Sequence, residues 1–225
     1  MSDLDLILKS GTVFLRNERI ETDVGVKNGK IVSFGSLDNA EEVIDCKNLF
    51  VFPGLIDTRC HFREPGGEHK ETLETGTKSA ALGGIVGIFE MPNTNPLTVT
   101  PEAMEFKLKR ASETAYVDYA FYFGGTAENS SNLSEWENLK GVCGIKIFMG
   151  SSTGSLLSAT DEEIDKIFAN GKRVIAVHAE DEAMMNENKM TILKDSNDVK
   201  MHNIWRSEES CFNATKRVVS IAKKY

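Results

Sequence analysis

The chain has 225 residues, of which 40% are hydrophobic and 27% charged, a composition typical of a soluble globular protein with one or two domains. Its net charge of -8 argues against duplex nucleic-acid binding, because phosphate recognition needs a concentrated positive surface. No stretch is long and apolar enough to predict a membrane span, and the acidic N-terminus lacks the basic start of a signal peptide.

The first 52 residues predict a small antiparallel β unit. Leu4, Leu6 and Leu8 alternate with polar residues, as expected for a half-buried strand. Asn28-Gly29 lies between two apolar runs, and this pair is the strongest short-range signal for a β-hairpin. We therefore expect residues 1–52 to form the N-terminal part of a β-sandwich.

From residue 53 onward, apolar runs of strand length alternate with helix-like stretches. The predicted strands cover residues 51–56, 84–91, 117–123, 142–149 and 173–179. The predicted helices cover residues 70–82, 101–114, 132–138, 161–170 and 205–224. Thr100-Pro101 and Thr160 are typical helix N-terminal signals. Within the second helix we interpret Lys107, Lys109 and Arg110 as a solvent-exposed basic face.

Buried strands that alternate with helices indicate a parallel sheet with both faces covered. A closed (β/α)8 barrel needs about 250 residues, so residues 53–225 are too few for one. We therefore predict an α/β fold: the small N-terminal antiparallel β unit, followed by an incomplete (β/α)8 TIM-type barrel of about five strand–helix units.

The four cysteines are widely spaced and form no Cys-x-x-Cys pair, so neither a zinc knuckle nor a disulfide framework is indicated. Each has apolar neighbours, which predicts a small buried side chain. A reducing cytoplasm is the expected location. The cysteines are Cys46, Cys60, Cys143 and Cys211.

Chemically capable side chains stand at the predicted strand ends, where an α/β barrel carries its active site. His61 and His178 are each either a structural histidine or a metal ligand. Arg63 has the planar fork that suits a carboxylate, or it forms a surface salt bridge with Glu64 or Glu68. Lys146 lies in an apolar strand, where burial favours the neutral amine unless the side chain extends to water.

These strand-end segments resemble the motifs of dihydroorotases in the cyclic amidohydrolase superfamily. Residues 53–66 are similar to the first motif and read Pro-Gly-Leu-Ile-Asp-Thr-x-x-His-Phe-Arg-Glu-Pro-Gly. Residues 91–94, Met-Pro-Asn-Thr, are similar to a second motif, and the strand with Lys146 and residues 178–181 also fit. The resemblance covers the N-terminal half of the family's fold.

The resemblance implies a reaction and a set of roles. In the family, two divalent metals, usually zinc, activate a hydroxide that hydrolyses dihydroorotate to carbamoyl aspartate in pyrimidine biosynthesis. It implies metal ligation by His61, by Lys146 in a carboxylated form that bridges both ions, and by His178. It also implies substrate binding by His61, Arg63 and Asn93, with Arg63 and Asn93 holding the substrate carboxylate.

The sequence departs from the family pattern at the metal site. Arg59 stands where the first histidine of the His-x-His motif is expected, and guanidinium has no lone pair to donate. The family's next histidine ligand and its general-base aspartate would come after residue 225, so no catalytic set is intact. We therefore expect weak or absent zinc binding and no hydrolysis by the chain alone.

Three functional hypotheses compete with an active hydrolase. The leading one is a truncated, inactive dihydroorotase-like protein. The second is one half of a split dihydroorotase, completed by a separate C-terminal chain. The third is a non-catalytic scaffold or regulatory partner of a pyrimidine-pathway enzyme. Because an open parallel sheet exposes edge strands, we expect a homo-oligomer or a complementing C-terminal fragment.

Overall fold

A computed structural model describes residues 3–150, 158–192 and 198–225. The chain divides into two compact units, Met1–Leu55 and Ile56–Tyr225. No helix in the described ranges combines the length and the apolar character that a membrane crossing requires.

The first unit is a five-stranded sheet in the order β3-β2-β1-β4, with β5 also paired to β1. The antiparallel pairs are β1–β2 and β2–β3, and β4 and β5 add to β1 as parallel neighbours. The predicted hairpin is present, because Asn28 and Gly29 both have positive φ and join paired residues Lys27 and Lys30. Its strands are β1 (Leu4–Phe14), β2 (Arg19–Lys27), β3 (Lys30–Gly35), β4 (Ala40–Asp45) and β5 (Phe50–Val51).

The second unit has one parallel sheet of five strands, in the order β10-β9-β8-β7-β6. Its strands are β6 (Leu55–Cys60), β7 (Ile85–Glu90), β8 (Asp118–Gly124), β9 (Val142–Phe148) and β10 (Ile175–His178). Its helices are α1 (Leu73–Leu82), α2 (Pro101–Thr114), α3 (Leu133–Trp136), α4 (Asp161–Asn170), α5 (Glu182–Ile192), α6 (His202–Trp205) and α7 (Glu208–Ala222). This confirms the predicted α/β fold: an N-terminal β unit built on antiparallel pairs, to which two parallel pairs are added, is followed by five parallel strands of a partial barrel.

Two hydrophobic clusters hold the parallel sheet against its helices. The first is built on β7, β8, α1 and α2, and its fully buried members include Leu73, Ile88, Phe121 and Phe123. The second joins β9 to α4 and α7, and its members include Ile145, Ile147, Ile167 and Ala214. Burial of each large side chain contributes about 1.5–3 kcal/mol relative to exposure, so these clusters fix the sheet that carries the candidate site.

Two helix starts follow from their sequence signals. Thr100 Oγ1 accepts the backbone N–H of Ala103 at 3.3 Å, and Pro101 is the first residue of α2. Thr160 and Glu163 form a capping box at the start of α4, with each side chain accepting the other residue's N–H. Both predicted helix N-termini are confirmed.

Two predicted elements differ from the structure, and one helix is additional. The strand predicted at 51–56 is wrong: the barrel strand β6 is Leu55–Cys60, because Pro53-Gly54 interrupts the apolar run and the true strand includes polar residues. The predicted helix 205–224 is two helices, and Ser207 begins the second by accepting the N–H of Ser210. Helix α5 has little periodicity in the burial of its side chains and was not predicted.

The prediction of four buried cysteines is wrong for Cys211, which is exposed on α7. Cys46 and Cys60 are buried, and Cys143 is half-buried. Burial raises the pKa of both Cys60 and Cys143 to about 12, so neither is a thiolate near neutral pH. All four cysteines are free.

Candidate active site

The candidate residues lie on or directly after the carboxyl ends of the parallel strands. His61 follows β6, Asn93 lies three residues after β7, and His178 is the last residue of β10. Lys146 lies near the end of β9, and Arg59 is the penultimate residue of β6. Because the five strands are parallel, these ends share one edge of the sheet, where α/β barrels carry their active sites.

His61 and Asn93 are in direct contact, with the imidazole Nδ1 2.8 Å from the amide Oδ1. Because an amide oxygen can only accept, we assign the proton to Nδ1 and the lone pair to Nε2. The pKa of His61 is lowered to about 4, mainly by burial; the bond to Asn93 opposes the shift, and the charges of Arg63, Arg59 and Lys146 add to it. His61 is therefore a neutral imidazole near pH 7.

The loop after β6 and the loop after β7 pack backbone against backbone. Asn95 N donates to Pro65 O at 2.8 Å. Gly66 has φ +89, and a Cβ at this position would lie 2.3 Å from Asn95 O. Only glycine permits this approach, so the loops that carry His61 and Asn93 are fixed relative to each other.

These two loops line an open cavity of about 210 Å³ with cationic and amide groups in its wall. Its lining includes Arg63, His69, Lys70, Asn93 and Asn95. Arg63 itself has φ +72, a left-handed conformation that costs a non-glycine residue about 1 kcal/mol. The combination of guanidinium, ammonium and amide donors suits a carboxylate.

Glu64, which sequence reasoning offered as a salt-bridge partner of Arg63, is engaged elsewhere. This buried carboxylate accepts the backbone N–H of Leu73 at 2.6 Å and the Nε–H of Arg110 at 2.5 Å. It therefore ties the loop after β6 to the start of α1 and to α2. The interpretation of Arg63 as an ion-pair partner of Glu64 receives no support from these contacts.

Lys146 is buried, with 3% of its surface exposed, and its Nζ lies 4.8 Å from the centre of the Phe148 ring. Burial, with a smaller contribution from the positive charge of Arg59, lowers its pKa to about 8. No carboxylate of the described ranges forms an ion pair with Lys146. A substantial fraction of its amine is therefore neutral at mildly alkaline pH.

His178 belongs to a carboxylate network that sequence reasoning missed. Its Nε2 contacts Glu180 Oε2, and Arg206 Nε donates to Glu180 Oε1 at 2.9 Å. Burial lowers the pKa of His178, and the neighbouring Glu180 opposes that shift. The network fixes the orientation of the imidazole. Little in the sequence indicates this network, because Arg206 lies 26 residues from Glu180 in the chain.

The interpretation of Lys107 as part of a solvent-exposed basic face is wrong. Lys107 is fully buried and forms an ion pair with the equally buried Glu90 at the end of β7. Arg110 of the same helix is half-buried and binds Glu64. The missed signal was an acidic residue at the end of an apolar strand, since a buried carboxylate needs a cationic partner.

The donor set of the described residues does not fit a resident pair of dications. In the described ranges, no group of three or more His, Cys, Asp or Glu side chains is arranged to hold a metal. His61 offers a lone pair, but the positive charges of Arg59 and Lys146 are near enough to lower the pKa of its imidazole. The fixed charge of Arg59, with that of Lys146 when it is protonated, opposes the binding of a further cation beside His61.

The chain is similar to a known protein family and to curated proteins of that kind. A family model described as dihydro-orotase-like matches residues 48–196. A dihydroorotase of Bacillus licheniformis is 37% identical over 186 residues, which cover 81% of this chain and 43% of that protein. An allantoinase of Escherichia coli is 43% identical over 149 residues, which cover 65% of this chain and 33% of that protein.

The fold has a solved counterpart in an L-hydantoinase (dihydropyrimidinase) from Arthrobacter aurescens. That structure matches with a TM-score of 0.90 and 29% identity, over 98% of this chain and 51% of the hydantoinase. The chain thus spans less than half the length of the two curated relatives and about half of this solved structure.

Proposed function

Because this chain belongs to the dihydroorotase-like family, we propose that it binds the carboxylate of a dihydroorotate-type ligand but does not hydrolyse that ligand by itself. One observation carries the proposal: Arg63 and Asn93 line the same small cavity, and Asn93 is held in place by His61. Arg63 would pair with the ligand carboxylate, which favours dihydroorotate or carbamoyl aspartate over uncharged cyclic amides.

The proposed loss of hydrolysis follows from the metal-site residues. The family is one of metal-dependent amidohydrolases, and its metal ions supply a hydroxide near neutral pH. The residues proposed as metal ligands are His61, Lys146 and His178. Arg59 places a permanent cation among them, so zinc binding is proposed to be weak or absent. A role in pyrimidine biosynthesis and a cytoplasmic location belong to the same proposal.

The test is a binding and turnover experiment with a matched control. We expect isothermal titration to detect dihydroorotate binding, and Arg63→Ala to weaken it about tenfold or more, since a charged hydrogen bond is lost. Arg16→Ala, on a turn of the first unit, should leave affinity unchanged. Hydantoin and allantoin, which lack the ring carboxylate, should bind more weakly than dihydroorotate.

Two results would contradict the proposal. Equal affinity of the wild type and Arg63→Ala for dihydroorotate would remove the carboxylate-binding role. Zinc-dependent turnover of dihydroorotate by the unaltered chain would remove the claim of inactivity.

A second candidate is half of a split dihydroorotase, completed by a separate C-terminal chain. Apolar side chains on neighbouring strands favour it, because Ile56 of β6 and Val86 of β7 are each more than half exposed. Co-expression with the C-terminal half of a dihydroorotase would then give a stable complex with activity. A homo-oligomer would instead give a multiple of the chain mass on light scattering and no activity, and a scaffold would bind a pyrimidine-pathway enzyme without activity of its own.

A further inference from the structure

A buried pair of opposite charges lies beneath the two loops that form the candidate site. Glu90 at the end of β7 is 1% exposed, and Lys107 of α2 is 0% exposed. The two side chains form an ion pair, and Lys107 Nζ also lies 4.6 Å from the centre of the Phe121 ring. Neither side chain contributes to the wall of the cavity that contains Arg63 and Asn93.

Each member of the pair binds the backbone of a different loop. Glu90 Oε1 accepts the N–H of Phe62 at 3.1 Å, and the carboxylate also accepts the N–H of Arg63. These two N–H groups belong to the turn that directs His61 and Arg63. Lys107 Nζ donates to the carbonyl of Met91 at 2.9 Å, two residues before Asn93.

Stability alone does not account for such a pair. Removing two charges from water costs about as much as their attraction returns, so a buried ion pair contributes little net stability compared with apolar side chains of similar volume. The left-handed backbone of Arg63 also needs an external acceptor for its N–H, and Glu90 supplies it. Both facts point to a geometric role.

We infer that Glu90, neutralised by Lys107, is a positioning residue that sets the His61–Asn93 contact and the direction of Arg63 from beneath. The carboxylate fixes the first loop through the N–H groups of Phe62 and Arg63, and the ammonium supplies the opposite charge that this buried carboxylate needs. This inference deepens the proposed ligand-binding function and rests on it for the ligand readout alone.

The test compares two double variants that both remove the buried charges and conserve volume. Glu90→Gln with Lys107→Met keeps an acceptor for Phe62 N, whereas Glu90→Leu with Lys107→Met removes it. Urea unfolding should show both variants folded, with the Leu variant unfolding at a lower urea concentration because a buried N–H loses its acceptor. The nitrogen-15 shifts of the His61 imidazole report its hydrogen bond to Asn93, and they should stay as in the wild type for the Gln variant and change for the Leu variant.

Dihydroorotate affinity provides the second readout. We expect it to fall about tenfold in the Leu variant and to stay close to wild type in the Gln variant. Wild-type imidazole shifts in both double variants would overturn the inference. If no form of the protein binds dihydroorotate, the proposed function fails, while the imidazole shifts still decide the inference.

A third variant covers the case in which the Leu variant does not fold. Glu90→Asp keeps the charge that Lys107 requires and shortens the side chain by one methylene, so the carboxylate no longer reaches Phe62 N. The His61 shifts should then differ from wild type. A wild-type spectrum in folded Glu90→Asp would show that the acceptor is not needed, and would overturn the inference.

Discussion

Replacing Arg59 with histidine tests the physical reason for the proposed loss of metal. The substitution removes a fixed cation and adds an imidazole two residues before His61, at the end of β6. We expect the affinity for zinc to rise. The two effects act in the same direction, because the repulsion disappears and a new lone pair is supplied.

The size of the electrostatic part follows from Coulomb's law. A unit charge about 4 Å from a dication is repelled by about 8 kcal/mol at an effective dielectric constant of 20, and by about 2 kcal/mol in bulk water. Arg59 is exposed, so the solvated value is the appropriate one. About 2 kcal/mol corresponds to an increase of about 30-fold in zinc affinity, before any gain from the added ligand.

The assay is a competition titration of zinc against a chromophoric chelator, with metal content measured after dialysis. Arg59→Met separates the two effects, because it removes the charge without adding a donor. Arg16→His controls for an added histidine on the surface of the first unit. Stoichiometric zinc in the wild type, with the same affinity as in Arg59→His, would refute the reasoning.

Three further predictions concern burial. Lys146 has a pKa of about 8 in the folded protein and an ordinary value of 10.5, so the unfolded chain binds more protons between these two pH values. The free energy of unfolding should therefore rise with pH in this range, by at most about 3 kcal/mol. Lys146→Met should flatten that rise, measured by urea unfolding at several pH values. Glu64→Ala should cost about 2 kcal/mol of stability, because the N–H of Leu73 and the guanidinium of Arg110 lose their acceptor. The control Glu113→Ala, on the exposed surface, should change stability by less than about 0.5 kcal/mol. In the native protein an aromatic disulfide reagent should label Cys211 first, and labelling of Cys60 at the same rate would contradict its burial.

The local patterns predicted most of the fold. Helix starts at Thr100 and Thr160 and the hairpin at Asn28-Gly29 depend on contacts within four residues, so they are readable from the sequence. The order of strands and helices follows in the same way, because alternation of apolar runs with helical stretches admits few topologies. The error at β6 had a local cause too, since polar residues in a strand carry no apolar signal.

The candidate site was less accessible to sequence reasoning. Residue types at the strand ends and their resemblance to a family pointed to His61, Arg63 and Asn93 together. The contact between His61 and Asn93 joins residues 32 apart, and the pair of Arg110 with Glu64 joins residues 46 apart. No periodicity within a helix or strand specifies such partners.

The sequence by itself determined the class of fold, the family motifs and the substitution at Arg59, because each of these is a property of neighbouring residues or of residue identity. Only the tertiary structure decided which charges are buried and which groups they bind. Lys107 illustrates the reason. Its neighbours on α2 suggest a solvent-exposed face, but its surroundings are set by Glu90 of β7 and Phe121 of β8. Burial and charge pairing depend on the folding of the whole chain, and a local window of residues does not contain that information.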